Sequence, residues 1–377
     1  MSPKINTVFI VAGEPSGDIH AAKLVSALKV ISPKTKFFGN GGDNMAESGV
    51  EIIHHINDLS VMGFIEVIKH LPRLLNIMDK TLSSIKNINP DKVILIDYPG
   101  FNLRLAKKIK KLKMDIHVTY FILPQLWAWK ENRIKIMKKT IDQSISIFPF
   151  EAEWFKSKGL NTFYTGHPFI EKKHNSNNKT KFFDKHNFNK NQPILILLPG
   201  SRQQEIDYHW PIFLKTTSKL NKKFPELQTV VIKSNNINLN PVPNYIKIES
   251  STFPAIRYGT VGISSSGTAT LECALANLPI VVCYKMSYIN WILFNLFGKV
   301  KYISIVNLIA NKKIIPELIQ HEMTEKNITK KISHYLDTKS NKRQKTLESF
   351  NSLRNALGKP GVFDRIANFV IHSELTK

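Results

Sequence analysis

The chain reads as an α/β protein built from two doubly wound parallel sheets, and three observations carry that reading. Short apolar runs alternate with amphipathic stretches at the spacing of strand-helix-strand units, and the series occurs twice. In each half the first run, residues 8–12 and 194–198, feeds straight into a Gly/Ser-bearing loop and then a helical pattern. A length of 377 residues exceeds the roughly 250–300 at which one core stops growing, and 42% hydrophobic residues can fill two.

The strand-like runs of the first half are 8–12, 36–39, 92–97, 117–122 and 143–148. After Gly166-His167-Pro168 the segment 172–191 is polar, basic and Asn-rich, so the domain boundary is expected there, with domains at 1–170 and 171–344. A second series follows at 194–198, 229–233, 246–248, 261–264 and 280–284. The tail, 345–377, is helical in pattern through Phe350, Leu353, Leu357, Phe363, Ile366, Ala367, Val370 and Ile371, and is expected to return to the first domain.

Composition excludes several classes. The two cysteines, Cys273 and Cys283, lie ten apart in an apolar stretch, without the spacing of a zinc site or disulfide framework, and read as buried thiols. No signal peptide precedes the first strand, and no apolar stretch approaches the ~18 residues of a spanning helix. The expected place is the cytoplasm, with any membrane contact peripheral. A net charge of +24 favours polyanions, yet lysine travels here with Asn and Ile, so codon drift and a selected anionic partner remain alternatives. Without an arginine stripe or RNA-binding aromatic signature, nucleic acid is not an expected partner.

The loops carry the chemistry. Gly13-Glu14-Pro15-Ser16-Gly17-Asp18 is not a GxGxxG fingerprint, which argues against hydride transfer. Glu14, Ser16 and Asp18 lie at the carboxyl end of the first strand, where open α/β sheets place ligands; a helix cap is the other reading of Asp18. Asp97 ends the buried run Val93-Ile94-Leu95-Ile96, where half desolvation suits a general base; a turn aspartate is the alternative. Trp127 and Trp129, followed by Lys130 and Arg133, offer aromatic planes to a sugar or acyl chain.

In the second half, Pro199-Gly200-Ser201-Arg202 with Glu205, and Ser266-Gly267-Thr268 with Glu272, offer a fixed cation, hydroxyls and a helix N-terminus to a diphosphate, and a carboxylate to a ribose. The P-loop pattern is absent. Phe64, Val67, Ile68, Leu71, Leu74 and Leu75 keep helical spacing beside Lys69 and Arg73, as core or as a face on an anionic membrane. A second aromatic cluster spans 288–297.

Together the strings Val11-Ala12-Gly13-Glu14-Pro15-Ser16-Gly17-Asp18, Val61-Met62-Gly63-Phe64, Ile96-Asp97 with Pro99 and Asn102, Trp127-Ala128-Trp129, Pro199-Gly200-Ser201-Arg202 and Ser266-Gly267-Thr268-Ala269 resemble those of the bacterial lipid-A-disaccharide synthases. The resemblance implies the GT-B architecture: two Rossmann-like domains with parallel sheets facing a central cleft, and a C-terminal helix returning to the N-terminal domain. It implies an inverting transfer from UDP-2,3-diacylglucosamine to 2,3-diacylglucosamine 1-phosphate, without metal or other cofactor. Carried over, Asp97 is the base, Arg202 the diphosphate ligand, and Glu14, Ser16 and Asp18 the acceptor side. Ser266, Gly267, Thr268 and Glu272 match the donor loop, and Asn307 with Pro316-Glu317 and Gln320 a further motif. Gly100 departs from the pattern, where an acidic residue often stands. The partners implied are the two lipid-linked sugars and the anionic cytoplasmic face of the inner membrane, with a second copy of the chain left open. Two other readings stand beside it: a UDP-GlcNAc 2-epimerase of the same fold, and a basic binding protein without turnover.

Overall fold

The computed structural model describes residues 5–59, 71–171, 179–234, 237–288, 291–292 and 300–372. The chain divides into two compact units, Met1–Lys172 with Leu357–Lys377, and Lys173–Ala356.

Among the described residues the first unit holds seven parallel strands: β1 (Thr7–Ala12), β2 (Lys36–Gly41), β3 (Glu51–His55), β4 (Lys92–Ile96), β5 (His117–Phe121), β6 (Gln143–Ser146) and β7 (Thr162–Tyr164). Their order is β3-β2-β1-β4-β5-β6-β7. Side chains alternate across a strand, so β1 sends Phe9 and Val11 to one face and Val8, Ile10 and Ala12 to the other. The first face is covered by Leu71–Ile88, Pro99–Lys111 and Ile134–Thr140, the second by Pro15–Ile31 and Val362–His372. Both faces being covered explains why the central strands read as unbroken apolar runs.

The second unit repeats the plan with β8 (Ile194–Leu198), β9 (Gln228–Ile232), β10 (Ile246–Glu249), β11 (Val261–Ser264), β12 (Ile280–Tyr284) and β13 (Glu317–Ile319), in the order β10-β9-β8-β11-β12-β13. All ten sequence-predicted strands are present. Among the described residues the three additional ones, β3, β7 and β13, are edge strands whose sequences, Glu51–His55, Thr162–Tyr164 and Glu317–Ile319, hold no apolar run longer than two residues.

The tail requires a correction. The helix Asn341–Ala356 belongs to the second unit and not to the returning segment: Arg354 donates to the Leu275 carbonyl at 2.9 Å, and Arg343 to the carbonyls of Thr260 and Tyr335 at 2.8 and 2.7 Å. The return begins at Leu357, whose carbonyl accepts the His167 amide at 2.9 Å. It is completed by the helix Val362–His372, which packs Val362, Ile366, Ala367 and Val370 into the core of the first unit. Two polar ties fix it. The buried Lys92 ammonium of β4 donates to the Val370 carbonyl, at the helix end where a cation is favoured, and Gln143 donates to Phe369 at 2.9 Å.

Cys273 and Cys283 are buried and free, and burial raises both thiols. Among the described residues no helix is long and apolar enough to cross a membrane. Since Ile366 is fully buried, Ile366→Ala is expected to destabilise the fold by about 2–5 kcal/mol, read as a lower denaturation midpoint.

Candidate active site

A doubly wound sheet binds ligands beyond the carboxyl ends of its strands, where the strand order reverses. In the first unit that point lies between β1 and β4, which pair Ala12 with Ile96, so the next residues are Gly13-Glu14 and Asp97-Tyr98. In the second it lies between β8 and β11, which pair Leu198 with Ser264, so Pro199 to Arg202 and Ser265 to Thr268 flank it. The loops singled out by sequence are the switch-point loops of both sheets.

Asp97 and Tyr98 both take left-handed backbone, each at φ 48°, a conformation that costs a non-glycine residue of order 1–3 kcal/mol. Hydrogen bonds hold it. The Asp97 amide donates to Phe121 at 3.0 Å, and its carbonyl accepts from the Tyr120 hydroxyl at 2.6 Å and the Asn102 amide group at 2.7 Å. The Tyr98 hydroxyl donates to the Leu59 carbonyl at 2.9 Å. The Tyr98 ring fills the space beside Gly13, where a Cβ would lie 2.2 Å from it, so that position is restricted to glycine. The result is a half-buried Asp97 side chain aimed from the strand tip. Burial, then the charge of Glu14, pushes its carboxyl up to about 6, against an opposing hydrogen bond from Tyr98.

Glu14 and Ser16 are exposed on the neighbouring loop, as expected for ligand contacts. Asp18 is not, and its acceptor-side assignment is corrected. It is buried, and its carboxylate accepts the amides of Gly42, Asn44 and Met45 at 2.7, 3.1 and 3.1 Å and the Asn44 side chain at 2.8 Å. It therefore caps the helix Asp43–Glu47 rather than its own. Trp127 is also committed, its indole N–H donating to Glu151 at 3.0 Å and its ring meeting Phe150 edge-on at 5.0 Å. Trp129 is 54% exposed, with the Lys130 ammonium 4.5 Å from its ring centre.

On the second unit, Gly200 stands at φ +137°, and a Cβ there would lie 2.6 Å from the Glu205 carboxylate. Glu205 folds back to accept the Ser201 amide at 3.1 Å and approaches Arg202 at 3.5 Å. Its own loop thus uses the carboxylate assigned to the nucleotide. Arg202 is 74% exposed at the N-cap of the helix Gln203–Lys223. Across the switch point, Ser266 donates to the Ile303 carbonyl at 2.7 Å, Thr268 opens the helix Thr268–Leu275, and Glu272 is half-exposed one turn in. A Cβ on Gly267 would meet no protein atom within 4 Å, so the loop leaves open space at that helix start.

Asn307 is corrected as well. It is fully buried, donates to Ile315 and Glu317 at 2.9 and 2.8 Å, and accepts the amides of Ile314 and Ile315 at 2.8 and 3.0 Å. Glu317 gathers the amides of Ile303 and Ser304 and the Ser304 hydroxyl, so the pair builds the loop to which Ser266 is tied. Sequence reasoning missed His209, buried between the Pro199 carbonyl at 2.7 Å and the Lys285 amide at 3.0 Å, which joins the loops after β8 and β12. It also missed Glu151, although Pro149 two positions earlier marks a helix start.

Of the proposed membrane stripe, Phe64, Val67 and Ile68 lie outside the described residues, and Leu71 opens the helix Leu71–Ile88. Leu74 packs against the core with Ile77 and Met78, which corrects its assignment, whereas Leu75 is 44% exposed.

Two switch-point sites on tandem doubly wound sheets define the class: a GT-B-type fold shared by nucleotide-sugar enzymes. The chain superposes on the glycotransferase of kitacinnamycin with a TM-score of 0.66 at 10% identity, covering 98% of this chain and 99% of that one. It also superposes on the UDP-GlcNAc 2-epimerase from Neisseria meningitidis with a TM-score of 0.64 at 13% identity, covering 97% and 99%. Residues 8–360 match the family model of lipid-A-disaccharide synthetase, and the chain belongs to that family. It is 34% identical over 372 residues to the lipid-A-disaccharide synthase of Myxococcus xanthus, covering 97% of this chain and 96% of that one. Lipid-A-disaccharide synthase 1 of Legionella pneumophila (strain Paris) is 37% identical over 341 residues, with 88% of each covered.

Because the folded state holds the Asp97 proton more tightly than the ordinary carboxyl at 3.8, ionising Asp97 weakens the fold as pH rises from about 4 to about 6, and the penalty is complete above that. Asp97→Asn is therefore expected to raise the melting temperature at pH 8, by a stability gain of about 1–2 kcal/mol after allowance for solvent, and by little at pH 4.

Proposed function

We propose that the chain transfers the 2,3-diacylglucosamine unit of its UDP donor to the 6-hydroxyl of 2,3-diacylglucosamine 1-phosphate, with the first unit taking the acceptor and the second the donor. Membership of the lipid-A-disaccharide synthetase family supports the reaction. The observation that carries the residue assignment is Asp97, a carboxylate at the switch point whose proton affinity sits near 6. A base with that value is ionised at neutral pH and still accepts a proton as a hydroxyl attacks.

In this reading the acceptor oxygen attacks the anomeric carbon and its proton passes to Asp97. The bond from that carbon to the UDP oxygen breaks, and its electron pair leaves with UDP. Attack from the opposite face inverts the centre in a single displacement, which needs one base and not the paired carboxylates of glycoside hydrolysis. Arg202 and the amides at the start of Thr268–Leu275 neutralise the departing diphosphate, for which the open space beside Gly267 leaves room. Nothing in this scheme calls for a metal or other cofactor.

UDP release that depends on the acylated sugar-phosphate acceptor tests the reaction; conversion of the donor without acceptor would favour the epimerase. Asp97→Asn is expected to abolish turnover with UDP affinity unchanged, whereas Arg202→Ala weakens UDP binding roughly 10–100-fold and lowers turnover too. Full activity in Asp97→Asn removes the base assignment.

The protein also works at an anionic membrane surface in this reading, supported by the +24 charge and the exposed Leu75. Leu75→Asp is expected to reduce co-sedimentation with vesicles containing anionic phospholipid while leaving the melting temperature unchanged; undiminished sedimentation counts against this face.

A further inference from the structure

His209 sits on the helix Gln203–Lys223 among the buried Ile206, Trp210 and Phe213, and is itself fully buried. An imidazole in such surroundings costs stability unless both ring nitrogens find partners. Both do: Nδ1 lies 2.7 Å from the Pro199 carbonyl oxygen, and Nε2 accepts the Lys285 amide at 3.0 Å. The Tyr284 ring at the end of β12 meets the imidazole edge-on at 5.4 Å. Pro199 directly follows β8 and Lys285 directly follows β12, and β11 stands between those two strands, so no sheet hydrogen bond can join their loops. The imidazole makes that connection instead.

The two partners fix the protonation of the ring. A carbonyl oxygen only accepts and an amide N–H only donates, so Nδ1 carries the hydrogen and Nε2 the lone pair: a neutral imidazole in one defined tautomer. The Lys285 end of the bridge is itself anchored, because the next amide, Met286, donates to the Gln320 side chain at 3.0 Å, and that side chain donates back to the Met286 carbonyl at 3.2 Å. The Pro199 end opens the loop that reaches Arg202, the N-cap of the helix carrying His209, so the bond closes this loop onto its own helix. The Ser265 amide, donating to the Leu198 carbonyl at 2.7 Å, ties the loop after β11 to the same point. The exposed Arg202 guanidinium therefore rises from a backbone held at both ends.

We infer that His209 is a positioning residue of the donor site: the Lys285 amide orients its ring, and the ring holds Pro199 so that Arg202 meets the diphosphate of UDP. An apolar side chain of similar size would fill the same space and hold neither loop. Buried supports of this kind place a contact group without touching the ligand themselves. The inference rests on the reading of Arg202 as the diphosphate ligand, and extends it to the residue that sets where Arg202 stands.

Two substitutions in the full chain separate the bonds. In His209→Asn the amide nitrogen stands near the place of Nδ1 and still donates to Pro199; in His209→Gln the amide oxygen stands near the place of Nε2 and still accepts from Lys285. Each leaves one buried backbone group unpaired, so a role confined to stability lowers both melting temperatures alike and leaves UDP affinity the same in the two. By calorimetry at neutral pH, His209→Asn is expected to bind UDP within about threefold of the parent and His209→Gln about tenfold more weakly. Nitrogen NMR of the histidine-labelled parent, with the ring assigned by its loss in either variant, is expected to show a neutral imidazole protonated at Nδ1. Equal UDP affinity in the two variants, or a ring that is protonated at Nε2, overturns the inference. If one variant does not fold, the parent spectrum and the UDP affinity of the other decide. Failure of the Arg202 reading is separately visible, as undiminished UDP binding in Arg202→Ala.

Discussion

The caged backbone of Asp97 and Tyr98 is the constraint on which the first unit's chemistry depends. Two consecutive left-handed residues turn the chain sharply at the end of β4, and Phe121, Tyr120, Asn102 and Leu59 hold them there. A relaxed backbone would direct the carboxylate elsewhere. The same turn seats the Tyr98 ring against Gly13, so the loops after β1 and β4 are shaped by one another and Glu14 stays within electrostatic reach of Asp97.

The second unit reaches its geometry by other means. Its loops are held by side chains turned toward their own chain: the partly buried Glu205 against Ser201, and the buried His209 between Pro199 and Lys285 and Asn307 with Glu317 beneath Ile303 and thereby Ser266. Left outward are Ser201, Arg202, Thr268 and the bare backbone at Gly267. Supporting shells of this kind keep a site rigid while its contact groups remain free.

Much of the fold was legible in the chain because both faces of each sheet are covered, which makes the central strands long apolar runs; only edge strands escaped. The loops were legible too, because glycine and serine after such a run mark a strand-to-helix turn. The roles within those loops were less so. Asp18, Glu205 and Asn307 are the polar residue types that binding demands, yet each is spent on backbone amides, and residue type does not reveal whether a carboxylate faces a ligand or its own chain. Glu151 shows the converse: a helix-start glutamate looks ordinary until its full burial and its bond to the Trp127 indole are seen.

The return of Val362–His372 to the first sheet makes that unit discontinuous, while the second is a single stretch of chain. Emerging from the ribosome, residues up to 172 carry one face of a seven-stranded sheet without its last covering helix, and Lys92 without the Val370 carbonyl it is buried against. The later-made unit can finish folding first. The earlier one closes the second face of its sheet only once Val362–His372 has been made, whereas the strained turn at Asp97 draws all its named supports from residues 59–121 and does not wait for that helix.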